Sequence, residues 1–269
     1  MAKWLERTEL LLNERQMKQL NNAHVLIVGL GGIGSYAAEF VTRSGVGQMT
    51  LIDGDKFDET NKNRQLTALD STINQLKTEV LAKRLLDINP QLKLNIISEF
   101  VVGERVWEII ETHQPDYIMD CIDSVTPKLE WIIACKRKKL KIITCLGAGG
   151  KLDPSKVRVA NLEAVNNCKL GNHIKKRMKS KAISFRSIKA VFSEEIQLKA
   201  KRDARMKEIQ DHFYRVKAKL DSCKMADFWE KADGVDGHLL NAWSELGGVP
   251  DVPKTTVANR YREDPHRGA

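Results

Sequence analysis

The sequence predicts an α/β fold: a doubly wound, mainly parallel sheet with flanking helices, plus a charged helical C-terminal extension. Three observations lead there. Apolar runs of strand length alternate with segments whose apolar residues recur at helical spacing between residues 24 and 147. The order strand, helix, strand repeats along that stretch, which argues a parallel sheet covered on both faces. The first of them, "HVLIVG", passes directly into a glycine loop and a small-residue helix, "LGGIGSYAAE".

Each element has its own signal. Residues 1–23 read as a helical lead-in with Leu10, Leu11, Met17 and Leu20 as its apolar contacts. "VLIVG" is the first strand, and the helix over residues 33–44 is closed by Gly45. "QMTLID" is the second strand. "NQLKTEVLAKRLLDIN" is helical and stops before Pro90. "KLNIISEF" is a strand, residues 103–113 a helix, and "DYIMDCID" a buried strand. "PKLEWIIACKRKK" is a helix with Pro127 in its first turn, and "KIITCLG" is the next strand. After about Glu195 the character changes. Met206, Ile209, Phe213, Val216 and Leu220 make an amphipathic helix in a highly charged stretch, and the last ~40 residues read as partly disordered, with Trp229 and Trp243 as isolated anchors. The expected division is a domain over 1–195 and a helical, partly disordered tail over 196–269.

Composition narrows the function classes. A chain that is 42% hydrophobic and 29% charged, with no apolar window of membrane-span length, is not expected to cross a bilayer. "MAKWLERTEL" lacks the apolar core of an export signal. Five widely spaced cysteines without a Cys-x-x-Cys pair suit reduced thiols in a cytoplasmic protein and give no support to a zinc knuckle. The net charge of +9 is concentrated in residues 169–189, which hold many cations and no carboxylate, and in "KRKKLK" at 136–141. The expectation is a polyanionic partner, RNA first; the alternative is a solvated charged face.

The glycine loop carries the chemistry. Gly29, Gly31 and Gly34 form the G-x-G-x-x-G pattern of a Rossmann-like nucleotide site, with Gly32 as an extra small residue. Asp53, at the end of the second strand, suits a ribose hydroxyl. To this point NAD and other nucleotides fit equally. The next segment, "GDKFDETNKNRQL", favours a triphosphate. Arg64 offers a planar cationic fork for a phosphoryl group, Asn61, Asn63 and Gln65 cluster around it with Asn63 and Gln65 as neutral donors, and Lys77 adds a compact cation. Asp120 and Asp123 fall where the fourth strand ends, and a carboxylate there can hold magnesium. Each has a plainer reading: Arg64 as a surface ion-pair residue, Lys77 as a solvated helix cation, Asp120 as a helix cap. Their order along the chain favours an ATP site.

"GLGGIGSYAAEFVTRSGVG", "LIDGDKFDETNKNRQ", Lys77, "DCIDSV" and "LGAGGKLDPSKVRVANL" resemble the ThiF/MoeB/HesA superfamily of adenylating enzymes, which is related to the ubiquitin-activating enzymes. The lead-in "ERTELLLNERQMKQLNNAHV", "DSVTPK" at 123–128 and "GAGGKLDP" at 147–154 resemble its tRNA threonylcarbamoyladenosine dehydratase branch. The resemblance implies an ATP- and Mg2+-dependent ligase-type enzyme that forms AMP. It would activate the carboxylate of threonylcarbamoyladenosine in the tRNA anticodon loop and cyclise it with loss of water. By the same resemblance Gly31 and its neighbours approach ATP, Asp53 holds ribose, and Asn61, Arg64 and Lys77 contact phosphates. Asp123 ligates magnesium, and Arg7 reaches the partner's ATP site in a homodimer. No enzyme thiol is required; Cys121, Cys135 and Cys145 sit within apolar strands or helices and are expected in the core.

The chain also departs from the pattern. Ubiquitin-like-protein activators carry Asp-Asn where this sequence has Asp123-Ser124. "AVFSEE" at 190–195 resembles the family's strand near the start of its C-terminal segment, where Ser-Thr-Glu is usual, but the glycine-rich loop and apolar helix that follow it there are absent here. Adenylation of a ubiquitin-like or sulfur-carrier C-terminus, with a sulfur-relay partner, and an inactive nucleotide-binding relative therefore stay open as alternatives.

Overall fold

The computed structural model describes residues 3–197; the helix, tail and tryptophan anchors expected further on lie outside the described residues. Two short helices, α1 (Glu6–Glu9) and α2 (Glu14–Asn22), lead into strand β1 (His24–Val28). Then come α3 (Gly34–Arg43), β2 (Gln48–Ile52), α4 (Lys77–Ile88), β3 (Lys93–Ile97), α5 (Glu104–His113) and β4 (Tyr117–Asp120). The chain continues through α6 (Val125–Lys138), β5 (Lys141–Cys145), β6 (Val157–Asn161), α7 (Lys169–Ser180) and β7 (Lys189–Ser193). The seven strands form one sheet in the order β3-β2-β1-β4-β5-β7-β6. All pairings are parallel except β6 with β7. The strand order reverses between β1 and β4, and such a switch point opens a crevice at the carboxyl edge of the sheet.

Side-chain alternation along β1 explains why all five of its residues are buried. Leu26 and Val28 face a core built with Val106, Ile109 and Ile110 of α5, Leu129, Trp131 and Ile132 of α6, and Ile174 and Met178 of α7. Val25 and Ile27 face the opposite core, with Ala38 of α3 and Leu81, Ala82 and Leu85 of α4. Burying each such Leu or Ile contributes about 1.5–3 kcal/mol, so the two layers fix the register that presents the strand ends. Among the described residues no helix is long and apolar enough to cross a membrane.

Three elements differ from the sequence reading. Asn13 caps α2 in a reciprocal box with Gln16, which breaks the lead-in into two helices. Met17 is buried and Leu20 packs on the second core, but Leu10 and Leu11 fall on the turn before the cap and are 87% and 83% exposed. The strand expected over "DYIMDCID" ends at Asp120, whose carboxylate accepts the Ile122 N–H at 3.1 Å and turns the chain. β6 is an edge strand with exposed Val157 and Val159, a pattern too short to identify from alternation.

Candidate nucleotide site at the strand switch point

The glycine loop leaves β1 at the switch point, and its glycines answer different demands. Gly29 has a φ of +85°, and a Cβ there would meet the Cys121 backbone at 2.9 Å. A Cβ on Gly34 would run into the Gly29 carbonyl oxygen. The fold itself requires both. Gly31 differs: a Cβ would stand 3.7 Å from Gln65 Nε2, an ordinary van der Waals distance. At Gly32 the nearest atoms, of Arg64, would lie at 3.3 Å. Nothing among the described residues demands a glycine at 31, and its bare backbone leaves room for a ligand to approach.

Asp53 follows β2 and does more than sequence reasoning assigned to it. Its Oδ2 accepts the Leu30 N–H at 2.6 Å and its Oδ1 the Asp55 N–H at 2.8 Å, so one carboxylate holds the glycine loop against the following turn. Burial raises its pKa; the two backbone N–H groups and Lys77 pull the other way. Each oxygen keeps a lone-pair direction for a ligand hydroxyl.

The cationic wall comes from the turn after β2. Asp58 caps that turn, with the Asn61 side chain accepting back from the Asp58 N–H at 3.4 Å. The Arg64 fork is exposed and anchored at one end only, where Nη1 donates to Thr60 O at 3.0 Å and Asn63 Oδ1 at 2.9 Å. Asn63 therefore orients Arg64 through its oxygen. Gln65 is buried with Oε1 unpartnered, and its amide lies beside Gly31. Lys77 opens α4 and is 5% exposed, which removes the solvated-cation reading. Its Nζ pairs with Asp55 Oδ2 at 2.7 Å, and Asp55 is half exposed.

The two acidic candidates separate. Asp120 is fully buried and taken up by Lys128, Thr144 and the Ile122 N–H, so it neither caps the helix nor offers a metal site. Asp123 is exposed, accepts only from Ser124 Oγ at 3.3 Å, and lines a cavity of about 180 Å3 with Gly147, Lys151, Cys168 and Leu170. No cluster of three or more metal-binding side chains occurs among the described residues. A single accessible carboxylate is still the donor set that suits magnesium, which takes its other ligands from phosphates and water.

Arg7 is not brought to this site. Leu5, two residues before it, packs 3.1 Å from the Cβ position of Gly45, at the far end of α3 from the glycine loop. That ten-residue helix spans about 15 Å. Lys151 was not singled out from sequence. Its Nζ donates to the carbonyls of Asn167, Ser193 and Glu195 at 3.0, 2.7 and 2.9 Å, while Glu195 accepts the Leu152 and Asp153 N–H groups. Only the juxtaposition of "GGK" and "SEE" hints at that clasp.

The cysteines are core residues. Cys135, Cys145 and Cys168 are buried, Cys121 is half-buried, and Cys223 lies outside the described residues. Burial pushes the Cys135 thiol up to about 12. A hydrogen bond with Cys145, then burial, hold Cys121 well above its usual range.

Known proteins share this fold and sequence. A model of the ThiF family matches residues 5–235. The chain is 37% identical over 180 residues to the tRNA threonylcarbamoyladenosine dehydratase of Escherichia coli strain K12, spanning 66% of this chain and 67% of that protein. It is 43% identical over 146 residues to the Haemophilus influenzae protein of the same name, spanning 54% of this chain and 56% of that one. The crystal structure of the E. coli dehydratase in complex with ATP superposes with a TM-score of 0.69 at 34% identity, covering 74% of this chain and 85% of the other. With that family model matching most of its length and a sheet of this order beneath it, the chain belongs to the ThiF family.

Proposed function

We propose that this protein is an ATP-dependent dehydratase that adenylates the threonyl carboxylate of N6-threonylcarbamoyladenosine in tRNA and cyclises it. The observation that carries the reading is the opening at Gly31 with Arg64 beside Gly32, and with Lys77 acting on the Asp53 that holds the loop, in a chain similar to dehydratases of that name.

A carboxylate is a poor electrophile because oxide would have to leave. Attack of a carboxylate oxygen on the α-phosphorus forms an acyl-adenylate and releases pyrophosphate. The neighbouring carbamoyl group then attacks the activated carbon, closes a five-membered ring and releases AMP; the nucleoside loses one water overall. The protein need supply position and charge neutralisation only. Gly31 and Gly32 let the triphosphate lie on the backbone. Asp53 is placed for the ribose, and Asn61, Asn63 and Gln65 line the same wall. Arg64 and Lys77 neutralise phosphoryl charge, Lys77 exchanging Asp55 for phosphate. Asp123 would hold Mg2+, which when bound supplies further charge neutralisation on the phosphates.

The tRNA approaches along α7. That helix starts at the wall of the Asp123 cavity, and Arg177 Nη1 reaches Thr126 Oγ1 at 3.2 Å, tying it to the start of α6. Lys176, Arg177 and Lys179 are exposed on it and Lys181 just past its end, with no carboxylate between residues 169 and 189. The reading includes a homodimer in which Arg7 reaches the partner's ATP site, supported by the exposed Leu10 and Leu11, which a second copy would cover. Residues 1–195 are the adenylating domain in this reading, residues 196–269 an appended tail, and the compartment is the cytoplasm, where tRNA is the substrate. ATP–pyrophosphate exchange tests the proposal. Exchange that depends on tRNA carrying the modified adenosine supports it; exchange that responds only to a carrier protein's C-terminus replaces it.

A further inference from the structure

The central strands end on a buried ion pair that the nucleotide chemistry above leaves unused. Lys128 and Asp120 are both 0% exposed, and Lys128 Nζ lies 2.7 Å from Asp120 Oδ2. The same ammonium donates to Thr144 Oγ1 at 3.0 Å and to the Cys145 carbonyl at 2.9 Å. Thr144, the register partner of Asp120 across β4 and β5, donates to Asp120 Oδ2 at 2.6 Å. The other carboxylate oxygen accepts the Ile122 N–H at 3.1 Å.

Stability alone does not call for such a pair. Exchanging a buried ion pair for apolar side chains of similar volume is often neutral or stabilising, whereas removing one partner is costly. What the pair does that apolar packing cannot is fix direction. On one side, Asp120 turns residues 121 and 122 so that their backbone presses on the glycine loop, 2.9–3.0 Å from the Cβ position of Gly29. Asp123 is the next residue. On the other side, the Cys145 carbonyl precedes Leu146 and the turn that carries Gly147 and Lys151, the facing wall of the Asp123 cavity. One ammonium thus fastens the roots of both walls.

We propose that Lys128 is a positioning residue for adenylate formation: through Asp120, Thr144 and the Cys145 carbonyl it sets the Asp123 segment against the 146–151 turn. The catalytic consequence rests on the adenylating function proposed above; the positioning itself does not. Misplacing reacting groups by about 1 Å costs on the order of 100-fold in rate, so a loss of that size is expected when the network is removed without unfolding the protein.

The test uses the full chain and two variants. Lys128→Met/Asp120→Leu removes both charges together, and Thr144→Val removes one hydroxyl at constant shape. Amide hydrogen exchange reads positioning directly. Faster exchange confined to residues 121–123 and 146–151 in both variants, with β1 and β2 protected as in the parent, is the expected result; unchanged exchange in these segments overturns the proposal. Single-turnover adenylate formation and ATP affinity read the consequence. The double variant is expected to bind ATP within about threefold of the parent and to form adenylate ~100-fold more slowly, with a smaller loss for Thr144→Val. A folded double variant with parental turnover makes the pair merely structural and also overturns the proposal. If the double variant does not fold, Thr144→Val decides on the same readouts. If the parent itself forms no adenylate with modified tRNA, the function proposed above fails, and hydrogen exchange still decides the role of Lys128.

Discussion

Gly31→Ala separates what the fold needs from what a ligand needs. The added Cβ would stand 3.7 Å from Gln65 Nε2, with no clash inside the protein and no left-handed backbone to forbid it. Replacing glycine where the backbone tolerates alanine stabilises by about 0.4–1 kcal/mol, because the unfolded chain loses freedom. The melting temperature should therefore hold or rise slightly. A nucleotide lying on this backbone meets the methyl instead. Overpacking by a group of that size costs about 1–3 kcal/mol, which is roughly a 5- to 150-fold weaker Kd. Titration calorimetry with ATP, beside a thermal melt of the same sample, reads both numbers. Gly34→Ala is the contrast: its Cβ collides with the Gly29 carbonyl, so that variant should lose stability first. If Gly31→Ala binds ATP as the parent does, the loop is only a tight strand-to-helix turn and the site has been misassigned.

Arg64→Ala removes a cation from the developing phosphate charge and should lower adenylate formation by about 10²–10³-fold, or ~3–4 kcal/mol, with little change in stability because the fork is exposed; pyrophosphate release measured in a single turnover checks this. Native protein at pH 8 should resist alkylation at Cys135, whose pKa of about 12 keeps it a thiol, and Cys135→Ala should retain turnover in its folded fraction; a folded variant that makes adenylate and then stalls would point to a thioester. Lys176, Lys179 and Lys181 changed together to Gln should weaken tRNA binding and flatten its dependence on log salt by roughly 0.7–0.9 for each phosphate that is no longer neutralised; an unchanged slope makes α7 a solvated face. Lys175 is left out of that variant because its ammonium donates to the Val165 carbonyl.

The sheet was legible because short, mainly apolar runs, β1, β2 and β5 among them, alternate with segments of helical periodicity. The candidate site could be proposed from sequence for a related reason: Gly29–Gly34 and Asp53 follow strand ends, Arg64 lies in the β2–α4 connection and Lys77 opens α4, all within about one βαβ unit. What was hidden depends on pairing across distance. Asp120 looked like a metal or cap residue until Lys128 and Thr144, the latter 24 positions along, arrived beside it. Asp53 looked like a ribose ligand alone, because backbone N–H groups leave no trace in sequence and the Leu30 amide that it holds could not be seen. Leu10 and Leu11 matched a helical apolar stripe, but the Asn13 cap soon ends that periodicity and leaves them in solvent.

The most direct measurement of the central claim is mass analysis of the nucleoside. Purified protein is incubated with ATP, magnesium and tRNA bearing threonylcarbamoyladenosine, the tRNA is digested, and the modified nucleoside is weighed together with the AMP formed. The account predicts a nucleoside lighter by one water and one AMP per nucleoside converted, with neither product from Arg64→Ala on the same time scale. AMP formation without change in the nucleoside mass, or dehydration that proceeds without ATP, would contradict it.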